Sequence, residues 1–278
     1  TVKDPDGRWK KRNDHELYCA GHLFEAAVAY AEATGKERFL RCMEKYADYI
    51  YQVFVEEDSA AFSTPGHEEI EIALMKMYLY TKKKKYLDLA AFFINTRGTS
   101  DEVGGWRDNY NQSHLPVREQ TEAMGHAVRA NYLYAGVADL YAETGEAQLM
   151  KNLSAIWNDI VQHKIYITGG CGALYDGVSP DGTTYDQPSI QQIHQAYGRQ
   201  FQLPQEAAHN EICAQIGMLL FSWRMFQTTI EPQYIDNIEN ELYNGILSGI
   251  SLDGKDYFYT EALRRTKEFP YTMRWPKH

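Results

Sequence analysis

Apolar side chains recur at three- and four-residue spacings along most of this chain, and this spacing places them on one face of an α-helix. Leu74, Met77 and Tyr78 follow the pattern within the segment IEIALMKMYLY. Alternation of apolar and polar residues, which is typical of strands, is nearly absent before Tyr257. The pattern therefore predicts an all-α fold with some β-structure near the end of the sequence.

The helices are predicted to form four hairpins, in each of which a short turn joins two helices. The predicted pairs are 22–33 with 39–53, 70–80 with 86–96, 126–143 with 148–163, and 211–227 with 232–247. Threonine stands at each turn, as in Thr34-Gly35 and Thr144-Gly145. One hairpin cannot bury its own apolar face, so successive hairpins must pack side by side in a solenoid, a bundle or a closed ring.

Long segments rich in Gly, His, Asn, Asp, Tyr and Trp separate the hairpins, at 56–69, 98–121 and 168–210. Loops longer than about 12–15 residues in a compact domain are usually functional. We expect these segments to gather at one end of the helices and build a pocket. After the turn Asp253-Gly254, residues 255–263 are typical of a strand that begins a hairpin. We therefore assign 1–254 to a helical domain and 255–278 to the start of a β-hairpin.

The composition limits the classes of partner. A net charge of −10 without a stripe of Lys and Arg argues against nucleic acid and anionic membranes, and no run of about 18 apolar residues is present to span a membrane. The four cysteines stand at wide, irregular spacings and are interpreted as thiols. The start at Thr1 is interpreted as a cut through a longer protein. A cytoplasmic and a periplasmic location therefore both stay open, as does oligomer formation.

Three histidines stand just before or at the start of a predicted first helix, namely His15, His67 and His126. Equivalent positions on successive hairpins would face one central pocket, although each histidine taken alone is also typical of a surface or core position. Neutral imidazoles donate to and accept from hydroxyl groups. The aromatic content of 13% suits sugar recognition as well as helix packing. The pattern therefore indicates a sugar-binding pocket as one interpretation.

Glu211-Ile212-Cys213 is a candidate for half of a zinc site, since zinc usually takes four ligands from Cys, His, Asp or Glu. Residues two apart do not share a helix face, so joint ligation requires an irregular first turn. In the simpler alternative, Glu211 favours the dipole of a helix capped by Asn210, and Cys213 is a buried thiol. The spacing alone leaves both interpretations open.

Five segments, found in order along nearly the whole chain, resemble glycoside hydrolase family 127, the β-L-arabinofuranosidases. They are HELYCAGHLFEAAVA (15–29), PGHEEIEIAL (65–74), EQTEAMGHAVRANYLYAG (119–136), YITGGCG (166–172) and LPQEAAHNEICAQIG (203–217). The resemblance implies an (α/α)6 barrel followed by β-sandwich domains, and this chain would supply an internal, partial barrel. It also implies a zinc site of one Glu and three Cys, in which one thiolate is the nucleophile of a retaining reaction.

The resemblance carries roles to individual residues of this chain. It implies that Glu211 and Cys213 are zinc ligands and that His15, His67 and His126 line the sugar pocket. The family's paired cysteines, one of them the nucleophile, would follow the hairpin near Tyr257 and are expected beyond residue 278. Zn²⁺ is thus the expected cofactor, with its remaining ligands outside this sequence.

One position departs from the family in a chemically important way. The family's general acid is a Glu in a His-Glu-Ala-Phe-Gly run, and this chain has His194-Gln195-Ala196-Tyr197-Gly198. Glutamine cannot give up a proton at neutral pH, and general-acid assistance is typically worth about 10² to 10⁴ in rate. His194 or Tyr197 then supplies the proton from the sugar site, the leaving group needs little help, or the activity differs from that of the family.

The predicted function is a zinc-dependent glycoside hydrolase that removes terminal β-linked L-arabinofuranosyl or related residues from plant oligo- or polysaccharides. The thiolate would attack the anomeric carbon, and water would then release the sugar. Two alternatives stay open. One is a sugar epimerase or an unsaturated-uronyl hydrolase on a similar helical barrel, and the other is a non-catalytic helical-repeat module that binds glycan.

Overall fold

The computed structural model describes residues 4–174, 195–205, 208–261 and 263–264, and these include eight α-helices. The helices are α1 (Glu16–Thr34), α2 (Arg38–Tyr51), α3 (Ile70–Thr81), α4 (Lys84–Thr96), α5 (Ala127–Thr144), α6 (Ala147–His163), α7 (Ile212–Thr229) and α8 (Pro232–Glu241). All eight predicted helices are confirmed. The main difference is that α1 begins at Glu16, because Leu17 and Ala20 continue its buried face toward the N-terminus.

Single turns of other helix types extend these helices. A π-helical turn, Gln52–Glu56, follows α2, and another, Leu242–Ile246, follows α8. Short 3-10 helices lie at Pro5–Gly7, Val117–Glu119 and Leu247–Gly249. The second helix of the last hairpin thus reaches the predicted end at 247 by changing its hydrogen-bond pattern after Glu241.

A threonine ends the first helix of every hairpin in the same way. Its hydroxyl donates to the carbonyl four residues earlier, over 2.6 Å in Thr34, 2.7 Å in Thr81, 2.9 Å in Thr144 and 2.9 Å in Thr229. The same oxygen accepts the N–H two residues later, at 3.2–3.4 Å. The residue after each threonine adopts left-handed backbone angles, which end a helix and free the chain to reverse. The repeated turns predicted from the sequence therefore have one shared structural cause.

The chain forms two compact units, of which the first comprises residues 1–119 and 136–149. In this unit α1 packs against α2 and α3, α3 packs against α4, and α2 contacts α4. The first helix of each hairpin is buried on most of its faces, whereas α2 buries only Leu40, Ala47 and Ile50. A helix that is apolar nearly all round must lie inside, so α1 and α3 form the inner layer of this unit.

Buried ion pairs fix the loops of the first unit. The fully buried Arg97 contacts Glu68 at 2.8 Å and Glu71 at 3.4 Å, and it donates to the Pro65 carbonyl at 3.0 Å. Arg12 contacts Glu102 at 2.8 Å in the same way. The carboxylates favour the charged form of Arg97, so its pKa is raised although burial alone would lower it. The segment that carries His67 is therefore held by charge pairs and not by regular secondary structure.

The second unit comprises residues 120–135 and 150–278. Here α7 packs against α8, and Ser222 on α7 accepts hydrogen bonds from Trp157 at 3.0 Å and from Asn237 at 3.2 Å. In the ranges that the structure describes, β-pairing is limited to isolated bridges, and two of these join Ala196 to His126 and to Leu174. These bridges place the segment around 195 beside the start of α5.

A short hairpin lies near the C-terminus, where the sequence predicts β-structure, but the segment predicted to begin the hairpin forms its second arm. Ile250 pairs with Tyr257 around the turn at Gly254, which has a φ of 70°, and Phe258 donates to the Gly249 carbonyl at 2.8 Å. Tyr257 belongs to the returning arm, which continues to a bridge between Thr260 and Glu211. The division of the chain at residue 254 stays a prediction, and residues 265–278 lie outside the described ranges.

None of the helices among the described residues combines the length and the apolar character needed to cross a bilayer.

Candidate active site

Gln195 joins His126 to Glu211 within the second unit. Its Oε1 lies 3.0 Å from Nε2 of His126, and its Nε2 donates to Oε2 of Glu211 at 3.3 Å. These contacts span 69 and 16 positions in the sequence. Because the amide oxygen only accepts, Nε2 of His126 carries the proton in this arrangement. Three of the residues predicted for the site are thus joined by hydrogen bonds.

The backbone around Gln195 positions its side chain between His126 and Glu211. Gln195 has a φ of 54°, in the left-handed region, and its carbonyl accepts the N–H of Ala127 at 2.9 Å. Tyr197 donates its N–H to the Gly125 carbonyl at 3.0 Å. Two backbone hydrogen bonds therefore hold this segment against the start of α5, beside His126.

Glu211 stands at the N-cap of α7 with extended backbone angles of −63° and 132°. The Cys213 thiol lies close enough to the Glu211 carboxylate for this group to raise the pKa of the thiol, even though the two residues are only two apart. Ile212 donates to the Tyr259 carbonyl at 3.1 Å, which holds this turn against the C-terminal hairpin. The irregular first turn that joint ligation requires is therefore present, and it brings the two donor groups near each other.

Several polar groups contact the Glu211 carboxylate. Nε2 of His209 lies 3.3 Å from its Oε2, and the Tyr259 hydroxyl also bonds to it. Burial is the largest single influence and would raise the pKa of Glu211, but the hydrogen bond and charge of His209, the charge of His126 and the Tyr259 hydroxyl together outweigh it, and the pKa is lowered. Burial, together with the charge of Arg129, lowers the pKa of His126 to about 3, so that imidazole is neutral at neutral pH. Glu211 is therefore the anionic centre of this cluster.

Cys213 is a neutral thiol in this state, because burial and the adjacent Glu211 charge raise its pKa to about 12. Together with Glu211 it offers one sulfur and one carboxylate donor, both of which suit zinc. Among the described residues no third His, Cys, Asp or Glu completes this pair. The pair therefore fits half of a tetrahedral zinc site, and its role as a ligand pair stays a prediction.

His15 and His67 lie together in the first unit, with ring centroids 5.7 Å apart. His15 adopts left-handed backbone angles at the N-cap of α1. Nδ1 of His67 donates to the Glu68 carbonyl at 2.8 Å, which leaves Nε2 as an acceptor. Tyr18 lies 4.3 Å from His67 and 4.5 Å from His22, centroid to centroid. The structure thus gathers an aromatic and imidazole cluster at the start of α1, and its predicted contact with sugar stays a prediction.

Tyr197 lies in the buried core of the second unit. Its hydroxyl donates to Oδ1 of Asn131 at 2.7 Å, and Nδ2 of Asn131 lies 3.6 Å from the sulfur of Cys171. Burial raises the pKa of this phenol well above its usual value, so it is a poor proton donor. Its predicted role in sugar binding is untested, and His194 lies outside the described residues. All four cysteines are free thiols, which confirms their interpretation from spacing.

The sequence interpretation missed His209, Tyr259 and Tyr18 as neighbours of the candidate residues. His209 stands two positions before Glu211, and this proximity is the signal that could have identified it. Tyr259 reaches Glu211 only because the C-terminal hairpin returns to the start of α7. No periodicity within the sequence indicates that contact.

The sequence was compared with protein-family models and with curated proteins. The family model described as Beta-L-arabinofuranosidase, GH127 catalytic domain, matches residues 1–277. The non-reducing end beta-L-arabinofuranosidase of Bifidobacterium longum subsp. longum is 35% identical over 274 residues, covering 92% of this chain and 39% of that protein. The chain thus spans about two fifths of the length of this curated relative.

Solved structures give a similar result. A GH127 beta-L-arabinofuranosidase from Geobacillus stearothermophilus T6 is 39% identical, with a TM-score of 0.83 over 96% of this chain and 42% of that chain. A structure described as a glycoside hydrolase is 48% identical, with a TM-score of 0.82 over 95% of this chain and 43% of that chain.

At the level of fold alone, the chain also resembles the cellobiose 2-epimerase of Spirochaeta thermophila. The identity is 11%, and the TM-score is 0.55 over 94% of this chain and 64% of that chain. Together with the eight helices of the described ranges, these similarities confirm an all-α fold of the (α/α)6 type.

Proposed function

Because this chain belongs to the GH127 family of beta-L-arabinofuranosidases, whose catalytic-domain model matches residues 1–277, we propose that it is part of a glycosidase for terminal β-linked L-arabinofuranosyl residues. The substrate class would be plant oligo- or polysaccharides. The observation that carries the proposal is the hydrogen-bonded series His126, Gln195 and Glu211, with Cys213 beside the same carboxylate. These are the positions to which the family resemblance assigns sugar binding, proton donation and zinc.

Glu211 and Cys213 would hold a zinc ion together with ligands from beyond the described residues. When bound, zinc keeps cysteine sulfur in the thiolate form, which is the nucleophilic form. Glu211 is prepared for this role because His209 and Tyr259 already donate to its carboxylate. Such outer hydrogen bonds orient a ligand and typically change metal affinity by about 10- to 100-fold when they are lost.

Gln195 determines the type of leaving group that this site can release. Its amide N–H is directed at Glu211 and its oxygen at His126, and neither end carries an acidic proton. A glycosidic oxygen at this position would depart without protonation by residue 195. We therefore expect the enzyme to act best on substrates whose leaving group is stable as an anion.

The test uses the full-length protein with zinc and a series of aryl and alkyl β-L-arabinofuranosides. For the unaltered protein, kcat/KM should fall steeply as the pKa of the leaving group rises. Gln195→Glu should raise the rate on alkyl substrates by about 10² to 10⁴ and flatten that dependence. Gln162→Glu, the same change on the exposed face of α6, should alter neither. If neither the unaltered protein nor Gln195→Glu releases L-arabinose from any substrate, the proposal is wrong.

The same position favours one alternative, a protein that binds glycan without cleaving it. The observation behind it is the amide at residue 195, where the family resemblance implies a glutamate that donates the proton. In this case the unaltered protein would bind L-arabinofuranosides, as measured by calorimetry, without turnover on aryl substrates. Turnover that arises only in Gln195→Glu would then identify the native protein as a binding module.

A further inference from the structure

A second group of potential ligands lies in the first unit, apart from Glu211 and Cys213. His22 and Glu25 stand three residues apart on α1 and share one face of the helix. Glu69, the residue before α3, reaches the same place. One ligand atom from each of the three lies within 4.8 Å of the others, and Nδ1 of His22 is 3.4 Å from Oε1 of Glu69. The three side chains could therefore contact a single ion.

Glu69 is the member of this group that most needs a cation. The residue is 1% exposed, and among the described residues neither of its carboxylate oxygens takes part in a hydrogen bond. Burying an ionised carboxylate without such partners is costly. Lys76 contacts Glu25 at 2.5 Å, and Arg97 is paired with Glu68 and Glu71. Neither of these cations forms an ion pair with Glu69.

Gly21 makes room for the Glu69 carboxylate. A Cβ atom at position 21 would lie 1.5 Å from Oε2 of Glu69 and 2.7 Å from its Cδ. The carboxylate therefore lies directly against the backbone of α1, next to His22. This glycine allows the approach that brings a carboxylate from one hairpin to the ligand face of another.

The charges around the group favour a positive ion. Glu25 belongs to it, and Glu71 lies close, since its Oε2 accepts the Glu69 N–H at 3.2 Å. Burial, together with Glu25 and Glu71, raises the pKa of Glu69 to about 9, so a bound cation would replace the proton of that carboxyl group. Lys76 is the cation of α3 that reaches the group, through Glu25. His22 is 43% exposed at its side chain, so an ion can enter from solvent. An imidazole with two carboxylates suits divalent transition ions, for which such mixed nitrogen and oxygen sites are usual.

The structure assigns to His22, Glu25 and Glu69 a divalent-cation site of the Mn²⁺, Co²⁺ or Zn²⁺ class, in which water completes the coordination. The site shares no residue with the Glu211 and Cys213 pair, and it does not depend on the glycosidase proposal. Tyr18 contacts both His22 and His67, so a bound ion would lie next to the histidine cluster at the start of α1. The ion would stabilise the approach of Glu69 to α1.

Mn²⁺ is the probe that distinguishes this site, because it prefers oxygen and imidazole ligands to the thiolates of the proposed zinc pair. Free Mn²⁺ is measured by electron paramagnetic resonance during titration of the full-length protein. We expect a single Mn²⁺ to bind, and Glu69→Gln and His22→Gln each to weaken binding by more than about tenfold. Glu32→Gln, an exposed carboxylate change on the same helix, should leave binding unchanged.

Thermal unfolding separates loss of the ligand from loss of the fold. Mn²⁺ should raise the Tm of the unaltered protein and of Glu32→Gln, since an ion that binds only the folded state stabilises it. It should not raise the Tm of Glu69→Gln. His22→Gln changes a half-exposed side chain, so it keeps the test valid if the buried substitution unfolds the protein. Failure of Mn²⁺ to bind, or equal binding by His22→Gln and the unaltered protein, would overturn the assignment.

Discussion

Gln195 accepts a hydrogen bond from His126 and donates one to Glu211, so both ends of its amide are occupied. This polarity also determines the tautomer of His126, whose Nδ1 accepts the Arg129 N–H at 3.5 Å. A neutral histidine with its proton on Nε2 satisfies both contacts. At the scale of single residues, the Gln195 amide therefore bridges His126 and Glu211 without carrying an acidic proton.

Glu241 offers a residue-scale prediction on pH. The residue is fully buried, and within the described residues its carboxylate oxygens have no hydrogen-bond partner. Burial raises its pKa well above the usual value, so the folded protein holds a neutral carboxylic acid where the unfolded chain is ionised. The unfolded state then binds fewer protons than the folded state. The free energy of unfolding should thus fall by about 1.4 kcal/mol per pH unit between the two pKa values.

Glu241→Gln should remove this loss, because an amide has no proton to release. This contribution of Glu241 is fully present below the pKa of the unfolded side chain and disappears as the pH rises through the folded pKa. Urea unfolding from about pH 5 to about pH 8 should show the variant gaining stability relative to the parent. Glu239→Gln, an exposed change on the same helix, should give a constant difference. A constant difference for Glu241→Gln as well would show that Glu241 is ionised in the fold.

The sequence predicted some of the candidate site and could not predict the rest. Glu211 and Cys213 were found because they are neighbours, and the irregular turn that brings them together follows from the extended N-cap. The contact of Gln195 with His126 spans 69 positions, and it depends on how two loops pair across the start of α5. Spacing along the chain carries no information on such pairings, which only the packed structure fixes.

At the scale of elements, the turns of the four hairpins show how local chemistry sets helix ends. The residue after the turn threonine is Gly35 in the first hairpin and Gly145 in the third, but Ile230 in the last. Glycine adopts a positive φ at little cost, whereas a β-branched residue pays about 1–2 kcal/mol for it. Apolar periodicity and threonine were sufficient to predict all eight helices of the described ranges, because both signals act within a few residues.

Ile230→Gly should therefore stabilise the protein. Ile230 has a φ of 58° and is 68% exposed, so the substitution removes strain and little packing. We expect the free energy of unfolding to rise by about 1 kcal/mol, measured by urea unfolding. Destabilisation by the substitution would mean that packing of the Ile230 side chain adds more to the free energy of unfolding than its backbone strain removes.

Gly35→Ala supplies the opposite change at the equivalent position. No atom lies within 4 Å of a Cβ built at Gly35, so the only cost is that of the left-handed backbone at a φ of 69°. The expected loss is about 1 kcal/mol. If Ile230→Gly raises the free energy of unfolding and Gly35→Ala lowers it, both effects come from the backbone angles of the turn and not from side-chain contacts.

At the scale of the whole molecule, a net charge of −10 makes the placement of buried cations important. Arg97 is fully buried against Glu68 and Glu71, and it also binds carbonyls of the two long loops of the first unit. Arg97→Met should destabilise the protein by about 3–5 kcal/mol, because it leaves buried carboxylates without their cation.

An exposed ion pair provides the control for Arg97. Arg41 contacts Glu37 at 3.1 Å on the surface of α2, and Arg41→Met should cost less than about 1 kcal/mol. Urea unfolding of both variants measures the difference. Equal losses of stability in the two variants would mean that the negative charge of the carboxylates around Arg97 is neutralised in another way, for example by protonation.

Metal removal tests the proposed zinc pair through the stability of the whole protein. An ion that binds only the folded state raises the free energy of unfolding by about 2.7 kcal/mol when its free concentration is 100 times its Kd. Chelation of zinc from the full-length protein should therefore lower its Tm. Cys213→Ser should start with a lower Tm and respond little to the chelator, because one thiolate ligand is lost. The control is Cys42→Ser, which alters an exposed thiol and should keep the full decrease in Tm on chelation. Ser222→Ala is unsuitable as a control, because the Ser222 hydroxyl links α6, α7 and α8. If chelation shifts Cys213→Ser as much as Cys42→Ser, the metal that stabilises the protein is bound elsewhere.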